Sequence, residues 1–297
     1  MHTAARRNRP RSRPLRMAAL AMLVLVLLTG CSALSLAWSY LDGAIVDRVD
    51  DWVDLTPPQN AELQRQLEPW LDHIAIERMP DYTAFLRAAA RRTRSELTAA
   101  DVEWAYEGAK GRYEGLMADA IDAWLADTLA RTDREQRDHL RQRMQRKNTE
   151  YRERYIDVTH RESQRSLAAR MIDFIEEWTG PLDVQQTQLL YRGVRALPDT
   201  SLEWYRYRTR MQAGLLALLR RDADAMEVAA WMRGWWVDRA ALRPDERTAF
   251  DRFRRGLVDL LTEFAATLTP IQRLSIGRRL RGLAHQLESI HFQTVRQ

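Results

Sequence analysis

The chain has 297 residues, of which 45% are hydrophobic and 29% are charged, and its formal net charge at pH 7 is +5. The first 30 residues contain six arginines and no acid, so removing them from the 46 basic residues leaves 40 against 41 acidic ones, a net charge of −1. This balance does not indicate a nucleic-acid-binding protein. A single cysteine excludes an internal disulfide.

The N-terminus has the three parts of a secretory signal. Six arginines precede the apolar run 17–28, which is followed by small residues and a cysteine in the sequence Leu28-Thr29-Gly30-Cys31. The run is shorter than the roughly 20 residues that a transmembrane helix needs. The segment resembles the lipobox of bacterial lipoproteins, in which the chain is cut before the cysteine and the thiol receives a diacylglycerol.

This resemblance predicts a location as well as a modification. We expect cleavage between Gly30 and Cys31, which removes residues 1–30 as a signal peptide and leaves 31–297 as a single helical domain anchored by acyl chains such as palmitate on Cys31. Two or three acyl chains anchor a protein stably in a membrane. By the sorting pattern of lipoproteins, Ser32 favours the outer membrane, with the domain on its periplasmic side.

From residue 32 onward, apolar residues recur at spacings of three and four, as on one face of an α-helix. No segment of useful length alternates with a period of two. The pattern predicts an all-α fold, either an antiparallel helical bundle or an irregular array of about ten helices. The predicted helices are 34–54, 57–78, 81–96, 99–130, 133–178, 183–196, 201–221, 224–239, 244–266 and 270–293.

Four predicted helix starts have a threonine followed three residues later by glutamate or glutamine, the pattern of a capping box. They are Thr56 with Gln59, Thr132 with Glu135, Thr200 with Glu203, and Thr269 with Gln272. The first and last are both Leu-Thr-Pro-x-Gln. They are also similar to the L-T-x-x-Q motif of small helical periplasmic chaperones, although helix capping explains the same residues.

Several segments taken together resemble a known family. They are the lipobox, residues 50–57 at the end of the first helix, residues 147–155, the turn 197–200 before Glu203-Trp204, and residues 268–272. The combination is similar to an uncharacterised family of proteobacterial lipoproteins known only as a domain of unknown function. The resemblance implies a helical, lipid-anchored envelope protein, and it assigns no catalytic residue.

The stretch 141–165 is the least core-like part of the predicted central helix, with seven arginines and Lys147 against four acidic residues. Spacings of three and four place Asn148, Tyr151, Arg152 and Tyr155 on one side of that helix. Such a face is suited to an anionic partner, either a phospholipid headgroup, an acidic envelope polymer or a protein. Alternatively, it is a solvated face whose arginines pair with the acidic first helix, which contains Asp42, Asp47, Asp50, Asp51 and Asp54.

Other chemistry has weaker support. A carboxylate three residues before a histidine is a spacing found in metal-binding helical bundles, and it occurs at Asp157–His160 and at Glu288–His291. His285 lies one turn before the second pair. The additional glutamates of such metal sites are not evident. We therefore predict no catalytic, cofactor-binding or metal residues. The expected function is a lipid-anchored envelope binding or scaffolding protein. The alternatives are a chaperone-like client binder and a hydrolase of envelope polymers. Expected partners are the membrane and an unknown envelope protein or anionic polymer, and not nucleic acid.

Overall fold

A computed structural model describes residues 33–296, in which eleven helices follow one another and no strand occurs. The predicted all-α array is therefore confirmed. Gly30 and Cys31 lie outside the described residues. The helices are α1 (Ala33–Trp38), α2 (Leu41–Val53), α3 (57–92), α4 (99–130), α5 (Arg134–Tyr155), α6 (His160–Thr179), α7 (Val184–Ala196), α8 (Ser201–Arg220), α9 (Ala225–Trp236), α10 (Pro244–Ala266) and α11 (Pro270–Val295).

Three clusters of buried apolar side chains hold the helices together. The largest joins α2, α3, α4, α5, α8 and α9. The second joins α6, α7 and α10, with contributions from the start of α4 and from α11. The third joins α1, α3 and α11, and the second half of α3 packs along α11. The buried Tyr207 hydroxyl in the largest cluster donates to the carbonyl oxygen of Trp235 at 2.8 Å.

The predicted helix 133–178 is wrong, because the chain turns at residues 156–159 and forms α5 and α6 instead. Thr159 and Glu162 form a capping box at this point. The Thr159 N–H donates to Glu162 Oε2 at 3.2 Å, and the Glu162 N–H donates to Thr159 Oγ1 at 3.3 Å. The break places Tyr151 and Tyr155 in the last turns of a helix rather than in its middle.

The predicted helices 57–78 and 81–96 are one continuous helix, α3. It contains a π-helical turn, Ile74–Arg78, which ends two residues before Pro80. Proline normally ends a helix because it lacks an N–H and crowds the carbonyl four residues earlier, and a wider turn relieves both problems. The Ala75 carbonyl within that turn accepts from His291 Nδ1 of α11 at 2.9 Å. In contrast, the predicted helix 34–54 is interrupted at Ser39-Tyr40.

The four predicted capping boxes divide evenly. Thr56 and Thr269 cap α3 and α11 as predicted. Thr132 does not cap α5, because Asp133 does so one residue later and accepts from the Gln136 N–H at 2.9 Å. Before α8, the side chain of Asp199 accepts from the Ser201 N–H at 2.9 Å, so Thr200 is not the side-chain cap.

The capping glutamines also pair with each other across helix junctions. Gln136 Nε2 donates to Gln59 Oε1 at 2.6 Å, and Gln59 Nε2 donates to Gln136 Oε1 at 3.1 Å. Gln186 and Gln272 exchange the same two hydrogen bonds, both at 2.9 Å. We call these the two glutamine pairs. The first joins the α2–α3 turn to the α4–α5 turn, and the second joins the α6–α7 turn to the α10–α11 turn.

Candidate binding surface

Asn148 and Tyr151, two of the predicted site residues, contact α8. Asn148 is half-buried and its Nδ2 donates to Oε1 of the buried Gln212 at 2.7 Å. The Tyr151 hydroxyl donates to the Ser201 carbonyl oxygen at 3.3 Å, and its ring is nearly parallel to that of Tyr205, with centroids 6.2 Å apart. The amide that interrupts the apolar stripe of α5 therefore has a structural role, because it meets a second amide where α5 packs on α8.

Arg152 and Tyr155 lie on the outer side of the same two turns. Arg152 is exposed, and its Nη2 is 3.3 Å from Oδ1 of Asp157, which is also exposed. The half-buried Tyr155 ring has its centroid 4.8 Å from that of Tyr151. The structure thus brings the four predicted residues together, but Asn148 and Tyr151 belong to the helix packing, whereas Arg152 and Tyr155 face outward at its edge.

Arginines from three helices surround the tyrosines. The guanidinium carbons of Arg154 and Arg170 lie 5.9 Å and 5.6 Å from the centre of the Tyr155 ring. That of Arg208 lies 6.0 Å from the Tyr151 ring. These separations are in the range of cation–π attraction. We call this group the tyrosine–arginine surface. Its exposed and half-buried members are Tyr151, Arg152, Arg154, Tyr155, Arg170 and Tyr205, and its seventh member, Arg208, is buried.

The outward charge of this surface is positive. Among residues 33–296, neither Arg154 nor Arg170 has an ion pair with an acidic side chain. Arg152 and Arg154 lie in the last turn of α5, where cations interact favourably with the helix dipole. A guanidinium donates two parallel hydrogen bonds to a carboxylate or a phosphate. The surface is therefore equipped to bind an anion beside an aromatic ring.

The acidic first helix neutralises another part of α5. Arg143 forms an ion pair with Asp51 of α2. Asp50 accepts instead from the Leu55 N–H at 2.8 Å, and Lys147 pairs with Glu150 of its own helix at 2.7 Å. Pairing with α2 thus applies to the first half of α5, and the tyrosine–arginine surface lies at the opposite end of that helix.

Four members of the surface are absent from the predicted face of four residues. Arg154 belongs to α5 itself, whereas Arg170, Tyr205 and Arg208 come from α6 and α8. The alternation Tyr205-Arg206-Tyr207-Arg208 was a visible signal. However, it does not reveal which side chains meet α5, because that depends on how the two helices pack.

The candidate metal pairs have other partners. His160 Nδ1 lies 3.0 Å from Oδ2 of Asp199 rather than beside Asp157. Glu288 accepts from Arg87 at 2.6 Å, while His291 donates to the Ala75 carbonyl. In the part of the chain that the structure describes, no three His, Cys, Asp or Glu side chains are grouped so that they could hold a metal ion.

A cleft of about 560 Å³ lies between the start of α4 and α10. Three carboxylates line it, those of Glu103, Asp259 and Glu263, and Glu103 forms an ion pair with Arg254 at 2.9 Å. No histidine or cysteine of residues 33–296 is among its lining side chains. The cleft therefore lacks the His or Cys of a common nucleophile–base pair, and the tyrosine–arginine surface remains the stronger candidate site.

Residues 51–233 match the model of a family of unknown function (DUF6279), and the chain belongs to that family because this span is more than half of its length. The span contains the whole tyrosine–arginine surface and ends before Gln272 and α11. No curated protein and no solved structure matches the chain. Within residues 33–296, no helix has the length and apolar character required to cross a bilayer.

Proposed function

We propose that this chain is a lipid-anchored bacterial envelope protein that acts as a binding or scaffolding module on the periplasmic side of the outer membrane. Its anchor is an acylated Cys31. Its tyrosine–arginine surface binds an anionic partner, which is an acidic envelope protein or an acidic envelope polymer.

The N-terminal sequence supports the anchor. Cys31 is the only cysteine, and it follows a basic start, a short apolar run and the small residues Thr29 and Gly30. A basic segment, an apolar segment and small residues in this order are typical of the signal peptide of an exported protein. A cysteine at the cleavage point is typical of a lipoprotein. The similarity to proteobacterial lipoproteins supports the same location.

The observation that carries the binding role is the position of Tyr155 beside both Arg154 and Arg170. Both guanidinium carbons lie within 6 Å of the ring, and neither arginine is neutralised by an acidic side chain among residues 33–296. An incoming carboxylate or phosphate replaces water at these arginines and gains charge-assisted hydrogen bonds. The ring adds apolar contact area beside the anion.

Cell fractionation tests the anchor. Wild-type protein is expected in the outer membrane fraction, and the Cys31→Ala variant is expected to lose this association because no acyl chain is attached. Met226→Ala is the control, because it leaves Cys31 and Ser32 in place and changes only a side chain that is 77% exposed. An outer membrane location for Cys31→Ala that persists after high-salt and urea washing would contradict the anchor.

Binding to defined anionic probes tests the surface. We would measure the fluorescence anisotropy of labelled polyglutamate and of labelled polyphosphate with the full chain in neutral detergent micelles. The variant has Arg152, Arg154 and Arg170 replaced by glutamine. We expect affinity to fall roughly tenfold to a hundredfold, because each exposed charge contact contributes about 0.5–1 kcal/mol and 1.4 kcal/mol corresponds to a factor of ten.

A second triple variant controls for net charge. Arg247, Arg252 and Arg255 of α10 are exposed and, among residues 33–296, have no ion pair with an acidic side chain. Replacing them by glutamine removes the same three charges at another place. Equal loss of affinity in both triple variants would show that binding follows overall charge and would refute a specific site.

A further inference from the structure

Three short segments of the fold carry exposed apolar side chains. Five of the thirteen large hydrophobic side chains that are exposed in residues 33–296 belong to the α1–α2 junction, the π-helical turn of α3 and the last turns of α11. They are Leu36, Tyr40, Ile76, Phe292 and Val295. The exposed fractions of Tyr40 and Phe292 are 69% and 54%.

These three segments are neighbours in the fold. Leu34 of α1, Ala75 of the π-helical turn and Ile290 of α11 belong to one buried cluster, and Trp38 packs against it. The hydrogen bond from His291 to the Ala75 carbonyl joins α11 to the π-helical turn directly. The exposed apolar side chains therefore surround a single packed junction.

Helix α1 is apolar on both sides. Its sequence is Ala-Leu-Ser-Leu-Ala-Trp, with Leu34 buried in the cluster and Leu36 60% exposed. Two helical residues that are two positions apart point in nearly opposite directions. A helix that is hydrophobic all round is normally covered on all sides, either by protein or by lipid. The outer side of α1 is thus open to a cover from outside residues 33–296.

The position of the preceding chain indicates what that cover is. Ala33 begins α1, and Cys31 lies two residues before it. Two residues of extended chain span at most about 7 Å. If Cys31 carries acyl chains in the bilayer, α1 is held at the bilayer surface. Aromatic rings such as those of Trp38, Tyr40 and Phe292 are typical of the membrane interface.

We propose that α1 and the last turns of α11 form a membrane-docking face, which inserts its exposed apolar side chains into the interfacial layer of the bilayer that holds Cys31. This inference rests on the proposed lipid anchor and adds an orientation to it. The helical domain lies against the membrane through this face instead of hanging from a flexible tether. Arg296, exposed at the end of α11, lies where it meets anionic lipid headgroups.

The single cysteine makes this proposal easy to test. In the acylated protein Cys31 has no free thiol, so one cysteine substitution creates one labelling site. We would attach a nitroxide at Phe292→Cys and, as a matched control, at Met226→Cys of α9, whose side chain is 77% exposed. The acylated full chain would be reconstituted into vesicles of phosphatidylethanolamine and phosphatidylglycerol. Paramagnetic relaxation by oxygen and by a water-soluble nickel chelate then measures the depth of each label.

The label at Phe292→Cys is expected about 5–10 Å below the headgroup boundary, the usual depth of an interfacial apolar face, while the label at Met226→Cys is expected in water. Val295→Cys provides a second site on the face and should give a similar depth. Each substituted side chain is more than half exposed, so folding should be preserved.

Flotation of the same vesicles separates the two possible failures. If the protein floats with the vesicles but the labels at Phe292→Cys and Val295→Cys are as accessible to the nickel chelate as the label at Met226→Cys, the docking face is refuted and the anchor stands. If the protein does not float, the anchor fails and the docking face fails with it. Spin–spin broadening between Phe292→Cys labels in water-accessible positions would indicate a second copy of the chain as the cover, and it would also refute the proposal.

Discussion

The second glutamine pair makes a quantitative prediction about stability. Gln186 is 2% exposed, and its side chain makes five hydrogen bonds. Its Nε2 donates to the Thr267 carbonyl at 3.0 Å, to Thr267 Oγ1 at 3.4 Å and to Gln272 Oε1 at 2.9 Å. Its Oε1 accepts from Gln272 Nε2 at 2.9 Å and from the Asp183 N–H at 3.2 Å. Replacing Gln186 by alanine removes all five of these hydrogen bonds.

The size of the effect follows from the groups that lose partners. After Gln186→Ala, Gln272 Nε2 retains the Pro181 carbonyl at 3.4 Å. In contrast, the Thr267 carbonyl loses its 3.0 Å donor and the Asp183 N–H loses its 3.2 Å acceptor. A buried polar group without a partner costs about 1–3 kcal/mol. Two such groups, with water entering part of the vacated space, correspond to a loss of about 2–4 kcal/mol in the free energy of unfolding. The melting temperature should fall by roughly 5–15 °C, because each kcal/mol is worth about 2–4 °C in a domain of this size.

Urea unfolding and thermal melting of Gln186→Ala and Gln185→Ala measure this effect. Gln185 is the neighbouring exposed glutamine of α7, so its replacement should change stability by no more than about 0.5 kcal/mol. The double variant Gln186→Ala/Gln272→Ala should lose much less stability than the sum of the losses of the two single variants, because each substitution removes the same glutamine pair. A loss for Gln186→Ala as small as that for Gln185→Ala would refute the reasoning.

Two further predictions concern the ion pair between Glu246 and Arg210 and the glycines of α4. Arg210 donates to Glu246 at 2.6 Å and 2.7 Å and holds the pKa of this buried carboxyl below its usual 4.5. The pair therefore stabilises the fold fully above about pH 4.5, and this stabilisation is lost as the pH falls through the lowered pKa. Glu246→Gln should cost about 3 kcal/mol in urea unfolding at pH 7 and flatten the dependence of stability on pH below 5; an unchanged pH profile would contradict this. In thermal melts, Gly108→Ala should lower the stability of the fold by about 1–3 kcal/mol, because the added Cβ meets the Phe85 ring. Gly111→Ala has open space around the added Cβ and should raise the stability by up to about 1 kcal/mol. Equal effects of the two substitutions would contradict the structure.

The sequence predicts the fold class because the apolar spacing of a helix is a local signal. It predicts the caps at Thr56 and Thr269 for the same reason, since each box lies within four residues. The break at 156–159 was missed although Thr159 and Glu162 form a capping box, because the apolar periodicity on either side suggested one long helix. At Pro80 the usual rule failed, because the π-helical turn that admits the proline depends on packing between α3 and α11.

The candidate site is only half visible in the sequence. Tyr151, Arg152 and Tyr155 stand out because they share one side of a charged helix. The roles of Asn148 and Tyr151 in packing require knowledge of Gln212 and Tyr205, which are more than 50 residues away along the chain. The same limitation applies to the glutamine pairs, whose members cap their own helices locally but meet each other across the fold.

Site-specific photocrosslinking in bacterial cells tests the proposed binding role most directly. A benzophenone amino acid would replace Tyr155 and, as a control, Tyr113 of α4, which is 48% exposed and lies outside the tyrosine–arginine surface. The proposal predicts a defined adduct from position 155 that is weak or absent at position 113 and disappears when Arg152, Arg154 and Arg170 are replaced by glutamine. An adduct that is unaffected by the loss of these arginines, or no adduct at position 155 in properly localised protein, would contradict a binding role for this surface.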